Sequence, residues 1–240
     1  MLEVKNLKKN FGRFEAVKGI SFTVSKGEVL GFLGPNGAGK STTMRMITGF
    51  LPPSSGTAVV CGHDIGAEPV EAKRCIGYLP ESAPSYRAMS VREYLAFIAE
   101  IRGFRGAAAR DAVDRAIEKA RLAPVAFKTI ETLSKGYRQR TCFAQAILHD
   151  PKVLIMDEPT DGLDPNQKHT VREMIKEMSS EKAIVISTHI LEEVDAVCTR
   201  AIVIAGGEIK ADGTPAKLRA MDPGGRLDVV FRTLTKGEEQ

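Results

Sequence analysis

One stretch constrains this chain more than any other: Gly34-Pro35-Asn36-Gly37-Ala38-Gly39-Lys40-Ser41-Thr42. Its spacing is G-x-x-x-x-G-K-[ST], a loop that wraps an anion in backbone N–H groups. Ahead of it, residues 28–33 (Glu-Val-Leu-Gly-Phe-Leu) read as a short buried strand, and residues 41–47 behind it read as a helix. Strand, glycine loop and helix in that order belong to an α/β fold. Glycine lets the loop curl, and the helix N-terminus adds partial positive charge at the same point. In that setting Lys40 is expected between the β- and γ-phosphates of a nucleoside triphosphate, with the Ser41 hydroxyl on Mg²⁺.

The rest of the 240 residues fits one sizeable domain or two small ones. Hydrophobic residues make up 43% and charged residues 27%, the balance of a globular protein with an ordinary core. A net charge of +4, spread along the chain, gives no concentrated basic stripe, so nucleic acid is not an expected partner. No apolar run approaches the roughly 20 residues of a membrane helix, and the N-terminus lacks a signal-peptide core. The chain is therefore expected neither to span a membrane nor to be exported by that route. Cys61, Cys75, Cys142 and Cys198 form no C-x-x-C pair and are expected to be buried, reduced thiols.

Along the chain, residues 2–5 and 20–24 alternate as half-buried strands do. Pro52 to Gly56 is a turn cluster, followed by strands at 57–61 and 76–80. The pattern then turns helical. Ser90 and Glu93 form a capping box ahead of Val91, Tyr94, Leu95 and Ile98, and a second helix is expected over 107–122. After Asp150 the α/β alternation resumes, with strands near 153–157, 183–187 and 201–205 and helices near 166–179 and 190–197. Gly206-Gly207 marks a hairpin. The last residues look like a frayed polar end.

A phosphate loop alone leaves kinase, GTPase, helicase and transporter motor open. Val153-Leu154-Ile155-Met156-Asp157-Glu158 narrows the choice, because four apolar residues deliver an acid to a strand end. Asp157 is expected to hold Mg²⁺ beside the loop, and Glu158 to orient and polarise an attacking water.

Further motifs carry a family resemblance. Leu133-Ser134-Lys135-Gly136-Tyr137-Arg138-Gln139-Arg140 resembles the signature of the ABC (ATP-binding cassette) family, usually L-S-G-G-Q. Residues 159–165 (Pro-Thr-Asp-Gly-Leu-Asp-Pro) look like its D-loop, and Ser187-Thr188-His189 looks like its switch histidine. Phe11 stands where the family stacks an aromatic ring on adenine. The resemblance runs from about residue 2 to residue 220. It implies a P-loop NTPase (RecA-like) core with an antiparallel β subdomain and a helical insert subdomain. In that reading residues 1–235 form a single ATPase domain, with 1–81 and 150–222 as core plus β subdomain, about 82–149 as the helical and signature subdomain, and 223–240 as a short C-terminal tail.

The resemblance also implies an ATP hydrolase working as a pair. Two copies would bind head to tail around two ATP. Ser134 and Gly136 of one would cap the γ-phosphate on the phosphate loop, Gly34 to Thr42, of the other, and His189 would contact that phosphate and help position water. The chain would sit at the inner face of the cell membrane, in the cytoplasm, and drive a separate transmembrane permease. Phe97, Ile98, Ile101 and Phe104 of the insert are candidates to receive that permease or to pack internally. Two departures stand out. Lys135 and Tyr137 replace Gly and Gln of the usual signature. Glu81, in Tyr78-Leu79-Pro80-Glu81, takes the place of the Q-loop glutamine; it remains a candidate Mg²⁺ ligand and marks an ABC-2 type exporter branch. The alternative of a non-transport ABC ATPase acting on ribosomes or DNA stays open, disfavoured by the single phosphate loop and the lack of a heptad run.

Overall fold

The computed structural model describes residues 1–82 and 84–236. Its elements, in chain order, begin with β1 (Leu2–Phe11), β2 (Phe14–Val24), β3 (Val29–Leu33), α1 (Lys40–Ile47), β4 (Ser55–Val60), β5 (His63–Asp64), α2 (Pro69–Arg74) and β6 (Ile76–Leu79). They continue with α3 (Val91–Ile101), α4 (Gly106–Lys119), two 3₁₀ turns, α5 (Lys135–Ile147), β7 (Val153–Asp157), α6 (Pro165–Ser179), β8 (Ala183–Thr188) and α7 (Leu191–Val197). The chain closes with β9 (Arg200–Ala205), β10 (Glu208–Gly213), α8 (Pro215–Arg219) and α9 (Leu227–Thr235).

Two sheets form, a four-stranded one in the order β2-β1-β4-β5 and a six-stranded one in the order β10-β9-β3-β8-β7-β6. In the larger sheet β9, β3, β8, β7 and β6 run parallel, and only β10 is antiparallel. Every residue of β3, β7 and β8 is buried. This is the burial of a sheet covered on both faces, and it explains why these strands read as unbroken apolar runs rather than alternating ones. Successive side chains serve opposite layers. Leu154, Met156, Ile184 and Ile186 pack with the helical part of the chain, while Val153, Ile155, Ala183 and Val185 pack with the smaller sheet and α1. The Phe22 and Phe32 rings meet at 5.5 Å where the two sheets face each other.

The smaller sheet is fully antiparallel. Its first two strands reach 10 and 11 residues, well beyond the alternating segments at 2–5 and 20–24. Their distal ends carry exposed Lys8, Asn10 and Glu15, so ladder pairing rather than burial holds them, and hydropathy gives no sign of it. At the other sheet's edge, Gly206 and Gly207 have φ of 55° and 77°. Two left-handed residues make the tight turn joining β9 to β10.

The helical part starts with both halves of the Ser90/Glu93 capping box. Tyr94, Leu95, Val113, Ile117 and Phe143 join one core with the sheet's helical face. Leu227 of α9 is buried in a third cluster with Leu33, Val203 and Leu218, with Phe231 and Leu234 packed against it; Val230 of the same helix is buried too. Residues 237–240, expected to be a frayed end, lie outside the described residues. All four cysteines are free thiols, but only Cys142 is fully buried; Cys61, Cys75 and Cys198 are partly exposed, which corrects the expectation of uniform burial.

Candidate functional site

Three parallel strands end side by side. Leu33 pairs with Thr188, and Asp157 pairs with Ser187. The residues just past those ends therefore meet: the phosphate loop after β3, His189 after β8 and Glu158 after β7. The loop after β6 adds Glu81. Ligands of open parallel sheets bind at this edge, the carboxyl ends of the strands.

There the chain forms an open cleft of about 650 Å³, lined by Asn36, Gly37, Gly39, Lys40, Ser41, Thr42, Glu81, Glu158, Asp161 and His189, with Phe11, Phe14 and Ala16 at its outer wall. Gly39 has φ +100°, and a Cβ there would fall 2.6 Å from the Ala16 carbonyl oxygen, so both conformation and space demand glycine. It is also the N-cap of α1, and no side chain caps that helix. The first amides of α1 are thus open to an anion at the positive end of the helix. Gly34, Pro35 and Ala38 of the loop do not line the cleft but shape it from behind. Lys40 Nζ donates to the carbonyl oxygens of Gly34 (2.8 Å) and Pro35 (3.1 Å). Ala38 is buried.

Lys40 is 5% exposed, and its ammonium lies 3.7 Å from Glu158 Oε1. Burial pulls its pKa down, opposed by the negative charges of Glu158 and Asp157. Glu158 Oε2 in turn sits 2.8 Å from His189 Nδ1. Glu158 adopts φ +49°, a sparsely populated conformation for a residue with a side chain. Its N–H is held by both the carbonyl and the hydroxyl of Ser187, each at 3.1 Å.

Asp157 is 1% exposed and lies beneath the cleft rather than in its wall. Ser41 Oγ donates to its Oδ1 at 3.1 Å, and Ser187 Oγ donates to the same oxygen. Ser41 and Asp157 thus present hard oxygen donors side by side, the donor chemistry that Mg²⁺ takes. Glu81 faces the same cleft as a third oxygen donor. Glu158, Asp161 and His189 also bring their potential ligand atoms within 4.8 Å of one another. Two of these atoms, Glu158 Oε2 and His189 Nδ1, already face each other at 2.8 Å.

The signature residues are elsewhere. Ser134 is the N-cap of α5, its hydroxyl accepting from the Tyr137 N–H at 3.4 Å. At Gly136 a Cβ would meet Gln167 Oε1 at 2.4 Å, so glycine lets α6 approach. Neither residue lines the cleft. Tyr137 is held by the Arg140 guanidinium, 4.3 Å over its ring.

Ser187, Phe14 and Asp161 were not singled out from sequence. Ser187 and Asp161 lie inside the motifs quoted above, but only register shows what their side chains do. Phe14 pairs with Phe11 across the β1–β2 hairpin. The two rings are 62% and 49% exposed, apolar surface left open at the mouth of a polar cleft. Of the insert's apolar candidates, Ile98 and Ile101 line a separate groove of about 740 Å³ with Phe50, Val70 and Tyr78. Phe97 meets Tyr86 edge-on at 5.4 Å, and Phe104 packs on the internal core.

A phosphate loop, a buried strand-end aspartate with its serine, and a glutamate–histidine pair at the carboxyl edge of a parallel sheet define a P-loop nucleoside triphosphatase. Residues 17–161 match the family described as ABC transporter, and the chain belongs to that family. It is 41% identical over 219 residues to the linearmycin resistance ATP-binding protein LnrL of Bacillus subtilis (strain 168), covering 91% of this chain and 70% of that protein. It is 38% identical over 231 residues to the Nod factor export ATP-binding protein I of Paraburkholderia xenovorans (strain LB400), covering 96% and 76%. A solved structure of the ATP-binding subunit of an ABC transporter is similar with a TM-score of 0.87 at 31% identity, covering 98% of this chain and all of that one. The present chain is an ABC-type ATPase, which binds ATP and hydrolyses it.

Proposed function

We propose that this chain works as a head-to-tail pair and powers an exporter through a permease carried on another chain. The observation that carries this reading is the separation of the signature from the cleft. Ser134 and Gly136 stand on α5, outside the wall formed by the phosphate loop, Glu158 and His189. A second copy would bring them over the triphosphate, with the N-terminus of its α5 facing the γ-phosphate.

Within each site the geometry supports the following roles. The amides at the start of α1 and the Lys40 ammonium hold the phosphates. The Phe11 ring stacks on the base. Ser41, Asp157 and Glu81 are the residues to hold Mg²⁺, which when bound neutralises phosphate charge. Glu158 accepts a proton from the attacking water, and His189, with Nδ1 2.8 Å from Glu158 Oε2, fixes that carboxylate and reaches the γ-phosphate.

Energy would leave through the groove of Phe50, Val70, Ile98 and Ile101. Phe50 is 77% exposed and Ile101 65%, apolar surface on a polar molecule that suits a permease helix. No described helix is long and apolar enough to cross a membrane, and the site of action would be the cytoplasmic face, next to the permease. Export is supported by the Nod factor export and linearmycin resistance relatives. These transport relatives favour the reading over ribosome or DNA work.

Subunit complementation tests the pair. Ser134→Arg and Lys40→Ala chains should each be inactive alone, yet a mixture should recover a clear fraction of wild-type turnover, since one of its two composite sites is intact. A mixture as inactive as its parts would refute shared sites.

A further inference from the structure

Lys135 is the first residue of α5, where an acid is favoured by the helix field, yet the first turn of α5 carries no acid at all. Its side chain instead runs outward across the loop that follows Glu158. A Cβ on Gly162 would fall 2.0 Å from the Lys135 ammonium, so the amine rests directly on the backbone there. Nζ reaches Asp161 Oδ2 at 3.9 Å. Asp161 in turn lines the nucleotide cleft and keeps its carboxylate within 4.8 Å of the ligand atoms of Glu158 and His189. A second link runs parallel: the buried Gln139 Nε2, also on α5, donates to the Pro159 carbonyl at 3.2 Å. The signature helix and the catalytic corner of one chain are therefore joined at the two ends of a five-residue span.

We propose that Lys135 is a positioning residue whose ion pair with Asp161 reports the seating of the signature segment to Glu158 and His189 of the same chain. The inference rests on the two-copy reading above. The signature of one chain meets the nucleotide of its partner, so any shift of α5 on closure moves Lys135, and through Asp161 the chain's own catalytic corner. Both partners are about half exposed, at 56% and 48%. An ion pair of that kind is weak and screened by salt, suited to adjusting a neighbouring carboxylate rather than to holding the fold.

The test compares kcat, KM and ATP affinity of wild type, Lys135→Met, Lys135→Arg, Asp161→Asn and the Lys135→Met/Asp161→Asn double variant, over a range of protein concentrations. Methionine keeps the aliphatic stem over Gly162 and removes only the charge. Lys135→Met should lower kcat about threefold with ATP affinity of the isolated chain unchanged, and Lys135→Arg should restore it. The double variant should be no slower than Asp161→Asn. The gap between wild type and Lys135→Met should close near 1 M salt, where the screening length is about 3 Å. Losses that multiply in the double variant, a Lys135→Met chain as fast as wild type, or a Lys135→Arg chain as slow as Lys135→Met would overturn the inference alone, provided turnover per chain rises with protein concentration. Turnover per chain independent of concentration would overturn the two-copy reading, and the inference with it.

Discussion

Replacing Ser187 by alanine removes one oxygen that serves two catalytic residues. The Ser187 hydroxyl donates to Asp157 Oδ1 and accepts from the Glu158 N–H at 3.1 Å. Ser187 is fully buried and Asp157 is 1% exposed, so water does not replace the lost donor. Among the described residues Asp157 would keep only Ser41 Oγ, at 3.1 Å, as a side-chain donor. A hydrogen bond to a buried charged group contributes about 1.5–3 kcal/mol; taking about 2 kcal/mol, the effect on melting can be worked out. Unfolding entropy near the midpoint is about 2.1 cal/mol/K per residue, or about 0.5 kcal/mol/K over 240 residues. The melting temperature should fall by about 4 °C. If the whole 2 kcal/mol appeared in the transition state, kcat would fall about 30-fold. Glu158 retains the Ser187 carbonyl, so a loss of about tenfold is expected. Scanning calorimetry of the nucleotide-free chain and steady-state ATPase kinetics measure the two effects separately. A midpoint within about 1 °C of wild type together with an unchanged kcat would show that the shared oxygen does not organise this corner.

Two further outcomes follow from the same geometry. Phe14→Ala, by removing one of the two exposed rings at the cleft mouth, should raise KM for ATP about fivefold, the lower end of what stacking on a base contributes, with kcat little changed; an unaltered KM would exclude Phe14 from the base site. His149 is held near pKa 4 by burial, with help from the Arg102 charge. Its unfolded counterpart takes up a proton near pH 6.5. Between those values the unfolded chain binds more protons, so stability falls as pH drops from about 6.5 to about 4. His149→Gln should make the melting temperature decline less steeply over that window; parallel curves for variant and wild type would contradict the assignment.

Much of the cleft was legible in the sequence because its parts are short local devices. The phosphate loop, the apolar run ending in Asp157-Glu158, and the Ser-Thr-His after β8 each carry their chemistry within a few residues. The parallel order of the sheet then aligns their ends. What sequence hid depends on pairing between distant segments. Phe14 reaches the cleft because β1 and β2 extend as exposed, polar ladders to a hairpin beside it. Ser187 becomes an anchor only through its register opposite Asp157. The same blindness explains the insert, where Ile98 on α3 both packs on the core and lines a groove, while Phe104, past the end of α3, packs on that same core. The Lys135–Asp161 contact was out of reach for the same reason, since 25 intervening positions separate its partners in the chain.

The central claim is that ATP is closed between two copies of this chain and that Glu158 starts its hydrolysis. Glu158→Gln removes the base while keeping the shape of the side chain. Measuring the mass of this variant in solution with ATP, with ADP and without nucleotide, alongside its turnover, tests both parts at once. The account expects a stable dimer with ATP alone, monomer in the other two conditions, and turnover nearly abolished. A variant that stays monomeric with ATP bound, or that hydrolyses at the wild-type rate, would contradict it.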